Sequence, residues 1–135
     1  MSSDKLRCGI VGTGVWGETH LMAYTYDPAV ELVCICDKNE ELLERRQEEY
    51  GVENAVTDYQ ELLERDDIDA VSVVTPDFLH KEIVLAAADA GKDILVEKPM
   101  STVVSDCEEM IDAADEAGVR LMVDFHNRFN PAFTE

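Results

Sequence analysis

A lysine whose side chain could take part in a reaction stands directly after a short apolar run in this 135-residue chain. Near residue 95 the sequence reads DILVEKPMS, in which the apolar run leads into Glu97, Lys98 and Pro99. A lysine ammonium can stabilise a developing alkoxide or take part in proton transfer. Whether Lys98 does such chemistry depends on the kind of sheet to which the run before it belongs.

A glycine-rich turn follows the first apolar run, Leu6–Val11. The segment Gly12-Thr13-Gly14-Val15-Trp16-Gly17 has the spacing G-x-G-x-x-G, and a segment of helical period comes after it. In that context Gly12 makes a tight turn, Gly14 lets a pyrophosphate approach the backbone, and Gly17 allows the helix to pack closely. The N–H groups at the start of the helix favour phosphate binding.

An acidic residue follows the second apolar run, about 20 residues beyond Gly17, which is the expected spacing for a ribose-binding carboxylate. Asp37 at this position would accept hydrogen bonds from the adenosine ribose and repel a 2′-phosphate, which favours NAD over NADP. Two alternatives stay open. Asp37 or Asn39 can merely cap the next helix, and adenosylmethionine sites also combine a glycine turn with an acid after the second strand.

The elements that must position these residues alternate along the whole chain. Apolar runs predict strands at Leu6–Val11, Glu31–Cys36, Ala55–Thr57, Ala70–Val74, Asp93–Val96 and Arg120–Val123. Helical period predicts helices near 15–26, 39–50, 58–65, 78–90 and 105–117. Strict alternation and strands that are apolar throughout predict an α/β fold, a doubly wound parallel (Rossmann) sheet of six strands in the order 3-2-1-4-5-6.

Several helix ends carry recognisable signals. The sequences TDYQ at Thr57–Gln60 and SDCE at Ser105–Glu108 both fit a capping box. Gly91 and Gly118 stand where glycines commonly end helices.

Polar residues follow most of the predicted strands and should therefore meet at one edge of the sheet, where such folds bind ligands. The fourth strand leads into Thr75, Pro76 and, in the next helix, His80. His80 taken alone is typical of a partly exposed helix histidine. The sixth strand leads into His126-Asn127-Arg128.

The charge balance excludes some classes of partner. The chain has 30 acidic and 11 basic residues and a formal net charge of −19. Such a chain repels nucleic acid and anionic membranes, and no apolar run has the length of a membrane span or signal sequence. The acidic residues are spread over helix-like segments, and we hypothesise that the protein works in a high-salt, halophile-type cytoplasm.

The four cysteines do not indicate a metal site. Cys8, Cys34, Cys36 and Cys107 contain no C-x-x-C pair, and the three histidines have no ligand spacing to them. We predict no bound metal. Buried thiols in a reducing, cytoplasmic compartment are the simplest interpretation.

Four segments together resemble the N-terminal domain of the Gfo/Idh/MocA oxidoreductases, the family of glucose–fructose oxidoreductase and inositol dehydrogenase. They are GTGVWGETH, VVTPDFLH, GKDILVEKPMS and MVDFHNRFNPAF. They come in the family's order and at its spacing, and the resemblance covers nearly the whole chain, from Leu6 to Phe133. The resemblance implies an NAD(P)-binding Rossmann domain over residues 1–125. It also implies reversible hydride transfer at a sugar or polyol carbon.

The resemblance also implies roles for individual residues. The expected cofactor-binding residues are Gly12, Thr13, Gly14, Trp16, Gly17, Asp37, Thr75, Pro76, His80, Glu97, Lys98, Asn127 and Arg128. Lys98 is the expected catalytic residue, reaching the nicotinamide ribose and the reacting hydroxyl.

Members of the family continue into a second domain that supplies substrate contacts and usually the oligomer interface. Residues 126–135 are then the start of the crossover to that domain, and the full-length protein is expected to form a homo-oligomer. The alternative is an NAD-binding sensor or subunit module with no activity of its own. A methyltransferase-type ligand site is a third interpretation.

Overall fold

The computed structural model describes residues 4–134, which form one parallel sheet with helices on both faces. The strands are β1 (Leu6–Val11), β2 (Val30–Cys36), β3 (Asn54–Val56), β4 (Ala70–Val73), β5 (Asp93–Glu97) and β6 (Leu121–Asp124). All five neighbouring pairs are parallel, and the order is β3-β2-β1-β4-β5-β6. The predicted fold class and strand order are confirmed.

The helices are α1 (Val15–Tyr26), α2 (Glu40–Tyr50), α3 (Tyr59–Leu63), α4 (His80–Asp89) and α5 (Val104–Ala117). Short 3-10 helices span Asp77–Leu79, His126–Phe129 and Pro131–Phe133. Among the described residues, none of the helices combines the length and the apolar character needed to cross a membrane.

The core has two parts, one on each face of the sheet. On one face Leu21 of α1 and Leu43 of α2 pack with buried residues of β1 and β2. On the other face, residues of α3, α4 and α5 pack against β4 and β5, with Met110 of α5 fully buried. Because both faces are covered, the central strands carry apolar side chains on both sides, which is why their sequences do not alternate.

Two predicted capping boxes are wrong. Asp58, not Thr57, caps α3, because its carboxylate accepts the Gln60 N–H at 2.9 Å. Helix α5 begins at Val104 without a side-chain cap, so Ser105 lies inside it. Ser101 instead accepts the Val103 N–H at 3.1 Å and forms a local turn before the helix.

Other boundaries differ by small amounts. The predicted 58–65 helix covers only five residues, and the predicted 78–90 helix begins as a 3-10 turn before α4. The predicted helix-ending glycines are confirmed, since Gly91 and Gly118 have φ values of 73° and 69°. The strand order reverses between β1 and β4, and the carboxyl ends of these two strands border the crevice where a ligand is expected.

Candidate functional site

The glycine turn between β1 and α1 forms the floor of the site. Gly12 has φ +100°, and a Cβ there would lie 2.6 Å from the Val74 carbonyl oxygen. A Cβ on Gly17 would lie 2.0 Å from the Gly12 carbonyl oxygen. By contrast, a Cβ on Gly14 would meet no atom within 4 Å. Two of the glycines therefore let the backbone pack closely, and the third leaves space beside the start of α1.

The turn is held to the end of β2 by Asp37. The carboxylate oxygen Oδ2 accepts the backbone N–H of Thr13 at 2.9 Å and its hydroxyl at 3.0 Å. The other oxygen, Oδ1, accepts the Asn39 N–H at 2.9 Å, and Asn39 itself caps α2 through the Leu42 N–H. Asn39 therefore caps α2. Asp37 connects the glycine turn to the end of β2, and its half-buried carboxylate lies beside the crevice.

A cavity of about 350 Å³ opens above the carboxyl ends of β1, β2 and β4. Its apolar wall includes Val11, Val74, Leu79 and Ile83. Its polar rim includes Asp37 and Lys38. An apolar wall with a few convergent polar groups suits a nucleoside. Five of the predicted site residues line the cavity: Gly12, Gly14, Asp37, Thr75 and Pro76.

Thr75 lines the cavity and carries a hydroxyl that has no partner within the described residues. The oxygen of this hydroxyl, Oγ1, is buried. A buried hydroxyl without a partner is costly, and native structures rarely tolerate one. The open space at Gly14, the Asp37 carboxylate and this hydroxyl together fit a dinucleotide with its pyrophosphate at the start of α1.

His80 does not line the cavity, and the expectation of a partly exposed side chain is wrong. The residue is 1% exposed. Its Nε2 lies 2.9 Å from the Thr75 carbonyl oxygen, and its Nδ1 lies 3.0 Å from that of Pro99. The imidazole thus connects the turn after β4 with the turn after β5. The family resemblance implied contact with the cofactor, whereas the structure gives His80 a place beneath the site.

The turn after β5 presents Lys98 and buries Glu97. Glu97 is 6% exposed, and its Oε2 accepts the backbone N–H of Lys98 at 2.8 Å. Its Oε1 lies 3.4 Å from Nε2 of His20 on α1, and Oδ2 of Asp124 lies 3.4 Å from the same nitrogen. Lys98 is exposed at this edge. Glu97 therefore supports the backbone of the Lys98 turn and does not face the cavity.

Sequence spacing gave no sign of this group of three. His20, Glu97 and Asp124 come from α1, β5 and β6, and their donor atoms all lie within 4.8 Å of one another. One imidazole and two carboxylates are a donor set that a divalent ion can use. Because Glu97 is also bonded to Lys98, we interpret the group as a support for that turn.

The segment after β6 lies beside the start of α1. Trp16 is 51% exposed in the first turn of α1, and its ring centroid is 5.5 Å from that of His126. The Arg128 guanidinium lies 5.6 Å from the centre of the Phe125 ring. Asn127 and Arg128 are exposed in the 3-10 helix, and neither lines the cavity.

The buried cysteines do not supply a nucleophile. Burial raises the pKa of Cys8 and Cys34 to about 11 and that of Cys36 to about 12. These thiols stay protonated near neutral pH, and only the thiolate attacks or binds metal. Cys36 therefore forms part of the cavity wall and does not act as a nucleophile.

The fold and the glycine turn define a dinucleotide-binding domain of the Rossmann class. The chain belongs to the Gfo/Idh/MocA oxidoreductase family, whose NAD-binding Rossmann-fold domain matches residues 6–125. The family resemblance inferred from the sequence motifs is confirmed.

Individual relatives of this chain are longer proteins, which it matches over part of their length. It is 35% identical to the scyllo-inositol 2-dehydrogenase (NAD(+)) of Bacillus subtilis, over 97% of this chain and 39% of that protein. The WlbA dehydrogenase of Bordetella pertussis, solved with NADH and UDP-GlcNAcA, is 36% identical with a TM-score of 0.89, over 96% of this chain and 38% of that one. A 3-ketoreductase of Actinomadura kijaniata, solved with NADP and TDP-benzene, is 35% identical with a TM-score of 0.84, over 90% and 37%. The chain thus spans well under half the length of these relatives.

We predict that Gly14→Ala separates binding from folding. Gly14 has an extended backbone with φ −66° and ψ −155°, and a Cβ at this position would enter open space. The free energy of unfolding should stay within about 1 kcal/mol, while the Kd for NADH rises by about tenfold or more, because the methyl group occupies the phosphate approach. Calorimetry and denaturant unfolding measure the two quantities.

The comparison variant is Gly17→Ala, whose Cβ would clash with the Gly12 backbone. It should lower the free energy of unfolding by about 2 kcal/mol or more. Equal effects of the two substitutions on stability would contradict these separate roles.

We also predict that Thr75→Val weakens binding without weakening the fold. Removing a buried hydroxyl that has no partner should leave the free energy of unfolding unchanged or raise it by about 1 kcal/mol. The Kd for NADH should rise about threefold to tenfold, because the hydroxyl is one of the ligand's expected partners. Thr19→Val on the exposed side of α1 is the control. An unchanged Kd would show that Thr75 does not contact the ligand.

Proposed function

We propose that this chain is the cofactor-binding part of an NAD-dependent oxidoreductase that transfers hydride to or from the hydroxyl carbon of a sugar or cyclic polyol. The observation that carries the proposal is the meeting of three features at one sheet edge: the open glycine turn, the Asp37 carboxylate and the Lys98 turn. The inositol dehydrogenase and the nucleotide-sugar complex among the relatives support this class of substrate.

NAD is the proposed cofactor, in preference to NADP. Asp37 stands at the end of β2 with its carboxylate beside the cavity. A negative charge at this position repels a 2′-phosphate and accepts ribose hydroxyls. Lys38 lines the same cavity and moderates the repulsion. The dinucleotide would supply the hydride acceptor or donor, held by the glycine turn and the start of α1.

Lys98 is the proposed catalytic residue. Oxidation of an alcohol by hydride loss requires its proton to leave, and an ammonium near the oxygen stabilises the alkoxide that develops. The backbone of Lys98 is fixed through Glu97, which leaves its side chain exposed toward the sheet edge. Asn127 and Arg128, exposed after β6, are proposed to continue the pocket.

The rest of the catalytic site is proposed to come from a second domain that follows residues 126–135. The support is the length of the relatives and the exposed aromatic side chains Phe125, Phe129 and Phe133 near this segment. That domain would supply further substrate contacts and the homo-oligomer interface.

We expect Lys98→Ala in the complete enzyme to lower turnover by about 10²- to 10⁴-fold, because the developing alkoxide loses its cation. The affinity for NAD should change by no more than a few-fold, since the glycine turn is untouched. Steady-state rates on a panel of inositols and hexoses, with NADH titration, provide the two readouts. Lys5→Ala is the charge-matched control, because Lys5 precedes β1 and lies at the amino-terminal ends of the strands, away from the candidate site. Unchanged turnover would remove Lys98 from the mechanism.

The proposed compartment is a reducing, salt-rich cytoplasm. Its support is the set of buried thiols and the net charge of −19. So large a charge on a small domain causes self-repulsion that salt screens.

The midpoint of unfolding should therefore rise as KCl is raised from millimolar to molar concentration. Sucrose at the same osmolality is the control, because it stabilises by exclusion without screening charge. If KCl and sucrose raise the midpoint equally, or KCl does not raise it, the high-salt hypothesis is wrong.

A further inference from the structure

Arg46 is a buried cation in a chain with few basic residues. It lies on the inner side of α2 and is 8% exposed. Arginine is seldom buried unless its guanidinium is paired. Here the Nε group donates to the Thr13 carbonyl oxygen at 3.1 Å. The Nη1 group pairs with Glu18 at 2.8 Å and with Glu49 at 3.1 Å.

Through this bond Arg46 completes the fixing of the glycine turn. The N–H and hydroxyl of Thr13 already donate to Asp37, and its carbonyl accepts from Arg46. The backbone N–H, the hydroxyl and the carbonyl of Thr13 are thus all satisfied, by Asp37 after β2 and by Arg46 of α2, while the residue itself is fully buried. The orientation of the Thr13 peptide sets the direction of the backbone that leads into Gly14 and α1.

Arg46 also neutralises a charge that opposes phosphate binding. Glu18 lies in the first turn of α1, the helix whose N-terminus faces the cavity floor. A carboxylate there repels a pyrophosphate. Glu18 instead pairs with Arg46 and accepts the Tyr50 hydroxyl at 2.9 Å, so its charge is partly compensated by a guanidinium that it shares with Glu49.

We propose that Arg46 is a positioning residue for the pyrophosphate of a dinucleotide. It holds the Thr13 carbonyl in place and partly compensates Glu18, so that the N–H groups at the start of α1 meet the phosphates against less opposing negative charge. This inference rests on the proposed dinucleotide-binding function. It adds a residue of α2, outside the glycine motif, that determines how strongly the turn binds phosphate.

The test compares ligands with and without a pyrophosphate on the purified chain. ADP-ribose contains the pyrophosphate, and adenosine does not. For Arg46→Met, we expect the Kd for ADP-ribose to rise about tenfold, and the Kd for adenosine to stay within about twofold. Arg45→Met is the matched control, because it removes the same charge from an exposed neighbour on the same helix.

A double variant separates the electrostatic role from a loss of structure. If Glu18 is the charge that Arg46 compensates, Glu18→Gln combined with Arg46→Met should recover part of the lost ADP-ribose affinity. A structural role alone would not show this rescue. Arg46→Lys keeps the charge and should bind ADP-ribose more tightly than Arg46→Met, and it serves as the folded alternative if the methionine variant does not fold.

The outcomes distinguish the two claims. If the unaltered chain binds neither ADP-ribose nor adenosine, the proposed function fails. If the unaltered chain binds both, and Arg46→Met matches Arg45→Met or weakens both ligands equally, the role of Arg46 is overturned and the proposed function stands.

Discussion

The close approach of the Gly12 backbone to the end of β4 is the constraint on which the site depends. No side chain fits between Gly12 and Val74, so the turn lies directly on the sheet at the point where the strand order reverses. That contact places the start of α1 over the crevice, where its N–H groups face an incoming ligand. Gly17 and the Thr13–Asp37 bonds keep the turn in this position. The cavity is a consequence of this arrangement.

A second set of interactions fixes the residues that would do the chemistry. Buried His80 contacts the Thr75 and Pro99 carbonyl oxygens, and buried His20 faces Glu97, which bonds to the Lys98 backbone. The two turns that flank the expected nicotinamide position are therefore connected beneath the surface. Side chains on rigid, hydrogen-bonded turns hold the geometry that a reaction needs better than those on independent loops.

Much of this arrangement could be predicted from sequence. Strand order follows from the alternation of strands and helices along the whole chain, which is typical of one fold class. The glycine turn and Asp37 follow from local patterns, because glycine spacing and residue type are visible within short windows. The family resemblance drew attention to Lys98 for the same reason. The resemblance could not give the direction in which each side chain points. Glu97 and His80 stand in the expected motifs, yet both side chains point into the protein, toward His20 and toward backbone carbonyls.

Other residues left little or no local signal in the sequence. Asp124 reaches His20 only because β6 lies beside β5, and Arg46 looks like one more charge in a solvated helix, EELLERRQEEY. Its position three residues after the buried Leu43, on the inner side of α2, was the one available indication. The capping boxes failed for the opposite reason, since short patterns matched where neighbouring polar residues made competing turns.

The most direct test of the account is a calorimetric titration of this chain with NADH and with NADPH, alongside the fluorescence of Trp16 at the start of α1. The account predicts saturable binding of NADH that perturbs Trp16, and a Kd for NADPH higher by about tenfold or more, because Asp37 repels the 2′-phosphate. Failure of both nucleotides to bind would contradict the central claim that this sheet edge is a dinucleotide site. Equal binding of the two would contradict the assignment of NAD.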